Sequence, residues 1–288
     1  MDTTDTKKTW WEGKYDRVFK SVIADEDNPK MLEEFLSRVL NMKIDNIVHL
    51  RTELPVTNVI KRTKTLDLLI ESNGKYIHLE LNINKPTYLH NRNLCFFMDS
   101  FIKKTKRGEE YDITSDFIHI DLTYGLSKDH DVVECYEIKS KKHKYVENVK
   151  ILEFNMDKIT DFWYDRNIEM VEKYKPLVLL GLDKENLDLI TSTISKGDDF
   201  VAEFTDKITH LNEDEQFQSL MTYEEDLIRC QNTDKKIAFN YGLVQGKQEG
   251  IDDAKWEIVK NLLNENMDLN LISKVTGLTV EEINNLGE

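Results

Sequence analysis

The dipeptide Asn73-Gly74 divides two segments of alternating polar and apolar residues, Thr65–Glu71 and Lys75–Ile83. Asparagine followed by glycine supplies the two positive-φ residues that a two-residue turn requires, so this stretch predicts a tight antiparallel hairpin. With that turn Ser72 faces Lys75, and the same pairing sets Asp67 opposite Glu80 and Thr65 opposite Asn82. Side chains alternate along a strand, so His78, Glu80 and Asn82 share the face of Asp67. Ile77, Leu79, Leu81 and Ile83 take the other face, the predicted buried side. Two carboxylates directly opposed across a hairpin, with Cβ atoms about 5 Å apart, repel each other. Either the pair is a solvated hairpin face, or a divalent cation removes the repulsion. Hard oxygen donors of this kind suit Mg²⁺ or Mn²⁺, which polarise a phosphodiester and acidify a bound water.

The surrounding pattern is of mixed type. Tyr15 to Leu40 is predicted helical, with Met31, Leu32, Phe35, Leu36, Val39 and Leu40 forming an amphipathic stripe behind Asn28-Pro29. Ile47–Glu53 is predicted as a strand that ends at Pro55, and a long helix follows Pro86 to about Arg107. Phe117–Leu122 alternates as a further strand, which gives the order helix, three strands, helix, strand. Val132–Ile138 and Val149–Phe154 predict an added strand pair around a lysine-rich turn, and from about Asp161 the chain is predicted helical. Gly242, Gly246 and Gly250 recur every four residues in a polar helix, a spacing suited to close packing of a soluble helix pair. At the end, Thr279 and Glu282 form a capping box behind Gly277.

Charge is distributed unevenly. The net charge is −15, yet residues 1–150 hold 25 basic and 25 acidic side chains, while residues 151–288 hold 14 and 29. The basic clusters, around Lys61–Lys64, Lys103–Arg107 and Lys139–Lys144, all fall in the neutral half, which can therefore approach phosphates. Apolar runs are too short for a membrane span and no secretory signal is recognisable, so a cytoplasmic protein is expected. Cys95, Cys135 and Cys230 match neither a disulfide framework nor a zinc motif and are expected to be reduced, partly buried thiols.

Beyond these patterns, Asp67 and Glu80-Leu81-Asn82 within that order of elements resemble the PD-(D/E)XK nuclease superfamily. More closely, the chain resembles the bacterial family of recombination-promoting nucleases and transposase-like proteins. The resemblance is carried by YDRVFKSVIAD, RTELP, LDLLIESNGKYIHLELN, Arg92, RGEEYDITSDFIHID, the spaced glycines and TGLTVEEINNL. It covers nearly the whole chain and is strongest from Tyr15 to Gly125. It implies an α/β fold, with a restriction-endonuclease-like αβββαβ core followed by a mainly helical C-terminal half. It also implies that Asp67 and Glu80 bind Mg²⁺ or Mn²⁺ and that the chain hydrolyses DNA as an endonuclease. Recombination, mobile-element activity and phage defence are all compatible roles. The third motif position, usually Lys in the superfamily and commonly Gln in this family, is Asn82, which offers hydrogen bonds but no charge. Lys64 and Lys85 stand close in sequence to supply one.

Several neighbours have two readings each. Arg92 either clamps a phosphate or pairs with a core carboxylate. Glu34 is either the extra acid that the superfamily often takes from its first helix or a solvated helix residue. Glu53 is either a supporting acid or surface, and His78 either shuttles protons or is a packed histidine. The expected organisation is a nuclease-like core with an added hairpin over residues 1–155, a helical region over 156–240, and a glycine-spaced helix with a terminal helix pair over 241–288. The last helix carries Glu281 and Glu282 and no Arg or Lys, so self-association through the C-terminal helices is expected there rather than DNA reading. A catalytically silent binding or assembly protein of the same fold is the alternative, favoured by Asn82 and the acidic second half.

Overall fold

The computed structural model describes residues 9–25, 28–49, 68–103 and 115–284. The hairpin is formed as expected. Asn73 and Gly74 have φ of 49° and 74°, and β2 (Leu68–Ser72) pairs antiparallel with β3 (Lys75–Asn82) from Ser72↔Lys75 to Leu68↔Leu79. β1 (Val48–His49) lies antiparallel on the outer side of β2. The remainder of the predicted strand from Ile47, together with Glu53, Lys64, Thr65 and Asp67, lies outside the described residues.

Two helices precede the sheet, α1 (Asp16–Val22) and α2 (Pro29–Leu40). The predicted stripe on α2 is buried through Met31, Leu32, Phe35 and Leu36, and Asn41 closes the helix in the left-handed region at φ 49°. From β3 the chain crosses through α3 (Leu89–Lys103) to β4 (Asp116–Thr123), parallel to β3. β5 (Val133–Glu137) and β6 (Val149–Asn155) are the added pair, and they are not a separate ribbon. β6 lies parallel to β4, so one six-stranded sheet forms in the order β1-β2-β3-β4-β6-β5.

A parallel centre is covered on both faces because its crossover connections place helices there. β4 is buried continuously from Phe117 to Thr123, and β3 from Tyr76 to Glu80. This revises the predicted burial of the hairpin. Ile77 and Leu79 are buried, but Leu81 is only half-buried and Ile83 is exposed, while the polar face of His78, Glu80 and Asn82 is itself interior.

Short helices follow: α4 (Met156–Tyr164), α5 (Ile168–Lys173), α6 (Lys175–Leu180), α7 (Lys184–Ser192) and α8 (Asp199–Glu213). α4 packs on β4 and β6, and α6 and α8 pack on the N-terminal helices. The segment before α1 is anchored among them: Asn212 on α8 accepts from Trp11 N at 2.7 Å and donates to Trp11 O at 3.0 Å. A side chain at Gly13 would press against the Leu180 backbone and the Phe204 ring, which accounts for glycine at that position.

Two compact units result, residues 1–218 and 219–288. α9 (Glu215–Asn264) runs without a break through residues 240 and 241. It leads to α10 (Leu269–Thr276) and α11 (Val280–Asn284). In the second unit Val259, Ile272 and Ile283 form a small core. Gly277 (φ 76°) ends α10, and Thr279 and Glu282 bond reciprocally as the predicted capping box. The three cysteines are free but exposed, not partly buried as expected. Among the described residues no helix is long and apolar enough to cross a membrane.

One polar junction ties α2, α6 and α8 together. Arg38 donates to both oxygens of Asp198 (2.8 and 3.0 Å), Lys175 lies 3.4 Å away, and Asp198 caps α8 by accepting from Val201 N. Burial works to raise the Asp198 carboxyl, but the Arg38 hydrogen bonds and the charges of Arg38 and Lys175 hold it below its ordinary range. Its stabilisation is therefore complete above the unfolded value of 3.8 and is lost as pH falls through the lower folded value. Asp198→Asn, which can still cap the helix, is expected to cost about 1–2 kcal/mol at pH 7 from the lost charge opposite Arg38 and Lys175. In urea unfolding the difference from wild type should shrink as pH drops through that window.

Candidate active site

The parallel register of β3, β4 and β6 sorts one face of the sheet into rows. Tyr76, Phe117 and Val149 lie side by side near the strand starts, and His78, His119 and Ile151 form the next row. Glu80, Asp121 and Glu153 follow, and then Asn82, Thr123 and Asn155 at the carboxyl ends. Polarity thus rises along the strands toward the end at which open α/β sheets place their ligands. α3 runs back over this face. Its Phe97 and Phe101 pack on the aromatic row, and its first turn carries His90, Arg92 and Asn93 to the carboxylates.

Three carboxylates on adjacent strands, about 5 Å apart from strand to strand, would be costly if unpartnered. Each is nearly excluded from water, with Glu80 2%, Asp121 3% and Glu153 1% exposed, so each needs its own donors. Glu80 Oε1 lies 3.1 Å from His78 Nε2, and Oε2 lies 3.7 Å from Arg92. Asp121 accepts from Asn93 Nδ2 at 2.6 Å. His119 Nε2 is 3.0 Å from the same Asp121 oxygen but is not aligned as a hydrogen-bond partner. Glu153 is met by His90 Nε2 at 2.7 Å, His130 Nε2 at 3.0 Å and Tyr136 Oη at 3.2 Å. Burial, then the charges of Glu153 and Glu134, push the Tyr136 phenol well up, so it remains a donor.

The histidine row links two of these acids, because His78 Nδ1 lies 2.8 Å from His119 Nδ1. Burial lowers the His78 imidazole below its usual range, against the opposing pull of Glu80, so the ring is neutral. A neutral ring has one proton to place. If His78 donates from Nε2 to Glu80, its Nδ1 accepts from Nδ1–H of His119, and both contacts are satisfied. His78 is buried, with Glu80 and His119 as its polar neighbours.

Arg92 reaches both Asn82 and Glu80 on β3. It donates to Asn82 Oδ1 at 2.6 Å and to Asn93 Oδ1 at 3.0 Å, while Asn82 Nδ2 faces Thr123 Oγ1 at 3.5 Å. About a third of its side chain is exposed, so its guanidinium stands at the boundary between this network and solvent. Glu80, Asn82, His78 and Arg92 are thus brought together. Glu34 is engaged elsewhere, bonded to Arg38 at 2.7 Å beside the Asp198 junction. Asp67 and Glu53 lie outside the described residues.

Sequence reasoning missed Asp121, Glu153, His119 and the helix residues His90 and Asn93. A trace was present: FIHIDLT and ILEFN carry polar residues at every second position of otherwise apolar strands. As donors, the oxygens of Glu80, Asp121 and Asn82 suit a hard divalent ion. Among the described residues, however, no group of three or more His, Cys, Asp or Glu is arranged to hold one.

Asn93→Ala should leave the buried Asp121 carboxylate without its shortest donor. A loss of about 1–3 kcal/mol in unfolding free energy is expected by chemical denaturation. Asn93→Asp, which sets a second carboxylate against the first, should lose more.

A comparison with curated proteins finds no match. Residues 13–227 match the family described as PD-(D/E)XK nuclease family transposase, and the chain belongs to that family.

Proposed function

We propose that this protein is a metal-dependent DNA endonuclease that hydrolyses phosphodiester bonds at the carboxyl ends of β3 and β4. Family membership supports hydrolysis of the nuclease type. The observation that carries the reading to this place is the buried Glu80 at the polar end of a parallel sheet, with the partly exposed Arg92 beside it. In this reading Glu80 and Asp67 hold Mg²⁺ or Mn²⁺. When bound, the ion supplies charge to the phosphate and acidifies a water.

The chain's own residues do the rest. His78 holds the Glu80 carboxylate in place from inside the sheet, and Asn93 orients the neighbouring Asp121. Arg92 offers its planar fork to a phosphate oxygen. Asn82 orients water through its amide, and having no charge it makes the reaction slower than a lysine would. DNA approach is supported by the lysine-rich turn after β5. Lys139 and Lys144 both pair with Glu137, whose carboxyl their hydrogen bonds, that of Lys144 foremost, hold down to about 2. Lys141 and Lys142 are exposed at the same turn. The C-terminal helices serve self-association, and recombination of mobile DNA is the role closest to the family description.

A second reading, a silent scaffold of the same fold, is favoured by one observation. Arg92 already occupies Asn82 Oδ1, so the oxygen at the third motif position is engaged by the chain itself. Nicking of supercoiled plasmid separates the two. Wild type is expected to nick with Mg²⁺ or Mn²⁺ and to stop on chelation, with Glu80→Ala slower by at least about 100-fold. Cleavage undiminished by Glu80→Ala would falsify the assignment. Absence of cleavage, together with absence of Mn²⁺ binding sensitive to Asp67→Ala in calorimetry, leaves the scaffold.

A further inference from the structure

From Ile228 to Ile251 every residue of α9 is exposed, and this stretch includes Gly242, Gly246 and Gly250. Each glycine costs a helix roughly 1 kcal/mol relative to alanine, and most helical stability in proteins comes from packing of an apolar face. A stretch so exposed gains stability from whatever packs on its apolar side. Its apolar residues show where. Ile237, Tyr241 and Val244, at 62%, 67% and 69% exposure, continue to Ile251 and Ile258. With Cys230, four of them (Ile237, Val244, Ile251 and Ile258) repeat every seven residues. The alternate seam positions are Asp234, Tyr241, Gln248 and Lys255. Spacings that alternate three and four are those of a two-stranded seam. Phe239 and Leu243 lie off this seam, on the far side of the helix.

The geometry points to a second copy of this chain as the occupant, paired antiparallel along α9, with Tyr241 of each copy against Val244 of the other. This rests on the reading of the C-terminal helices as the self-associating region and adds direction and register. The argument is charge. In a parallel pair, like residues share a layer, so Asp234 would face Asp234 and Lys255 would face Lys255 across a partly dry seam, which is repulsive. In the antiparallel pair Ile237 faces Gln248, Asp234 faces Ile251, and Lys255 comes within one helical turn of Asp234 of the other copy. Both charges are then compensated twice by symmetry. The same register places Cys230 opposite Lys255. It also ends before Val259, whose side chain is already buried in the terminal cluster.

The test uses the full chain with Cys95→Ser and Cys135→Ser, leaving Cys230 as the sole thiol. Sedimentation equilibrium is expected to give twice the 33.9 kDa chain mass. Val244→Glu, at a position exposed in the single chain, should weaken that association on the order of 100-fold by burying an unpaired carboxylate. Mild oxidation should leave Cys230 unlinked, and adding Lys255→Cys should produce a disulfide-linked dimer between residues 230 and 255. A monomer throughout overturns self-association itself. A dimer that links Cys230 to Cys230, or one indifferent to Val244→Glu, overturns the antiparallel seam while leaving self-association standing. None of these readouts depends on nuclease activity.

Discussion

The parallel pairing of β3, β4 and β6 aligns four rows of side chains, and nearly everything at the candidate site follows from that alignment. Because Glu80, Asp121 and Glu153 share one row, the sheet brings three acids to neighbouring positions. A slip of one residue in any strand would turn that strand's polar residues to the opposite face, away from the α3 donors. The register is thus held by the cost of the wrong pairing as much as by the gain from the right one.

The helix that crosses from β3 to β4 is what makes the row tolerable. Its aromatic residues cover the apolar end, and its first turn sends one donor to each strand: Arg92 toward β3, Asn93 to β4 and His90 to β6. A single helix, set by a single connection, therefore supplies both the packing and the polar satisfaction of the face. Such a network is specific because its partial loss costs more than any one bond contributes. It also places the partly exposed Arg92 and His90 at the rim, so the buried acids meet solvent through cationic or ionisable groups.

The second unit follows different physics. Its only described core is the small cluster at the end of α9 with α10 and α11, closed by a glycine at positive φ and a reciprocal capping box. The long helix ahead of it carries apolar side chains in water, and its stability depends on what covers them.

Local chemistry was the part that could be read from residues alone. Asn73-Gly74 determined the turn and hence the pairing from Ser72 to Leu68, because two positive-φ residues leave a hairpin little choice. The stripe on α2 and the capping box at Thr279 are likewise properties of short windows. Tertiary structure alone decided that the added strands join the main sheet, that the polar side of β3 is interior, and that Asp121, Glu153, His90 and Asn93 surround Glu80 and its neighbours. Parallel pairing and helix docking join residues tens of positions apart, and no local pattern encodes their register, since it is set by the burial of the assembled whole. The sequence determined which residues carry charge; the fold decided which of those charges share a space closed to water.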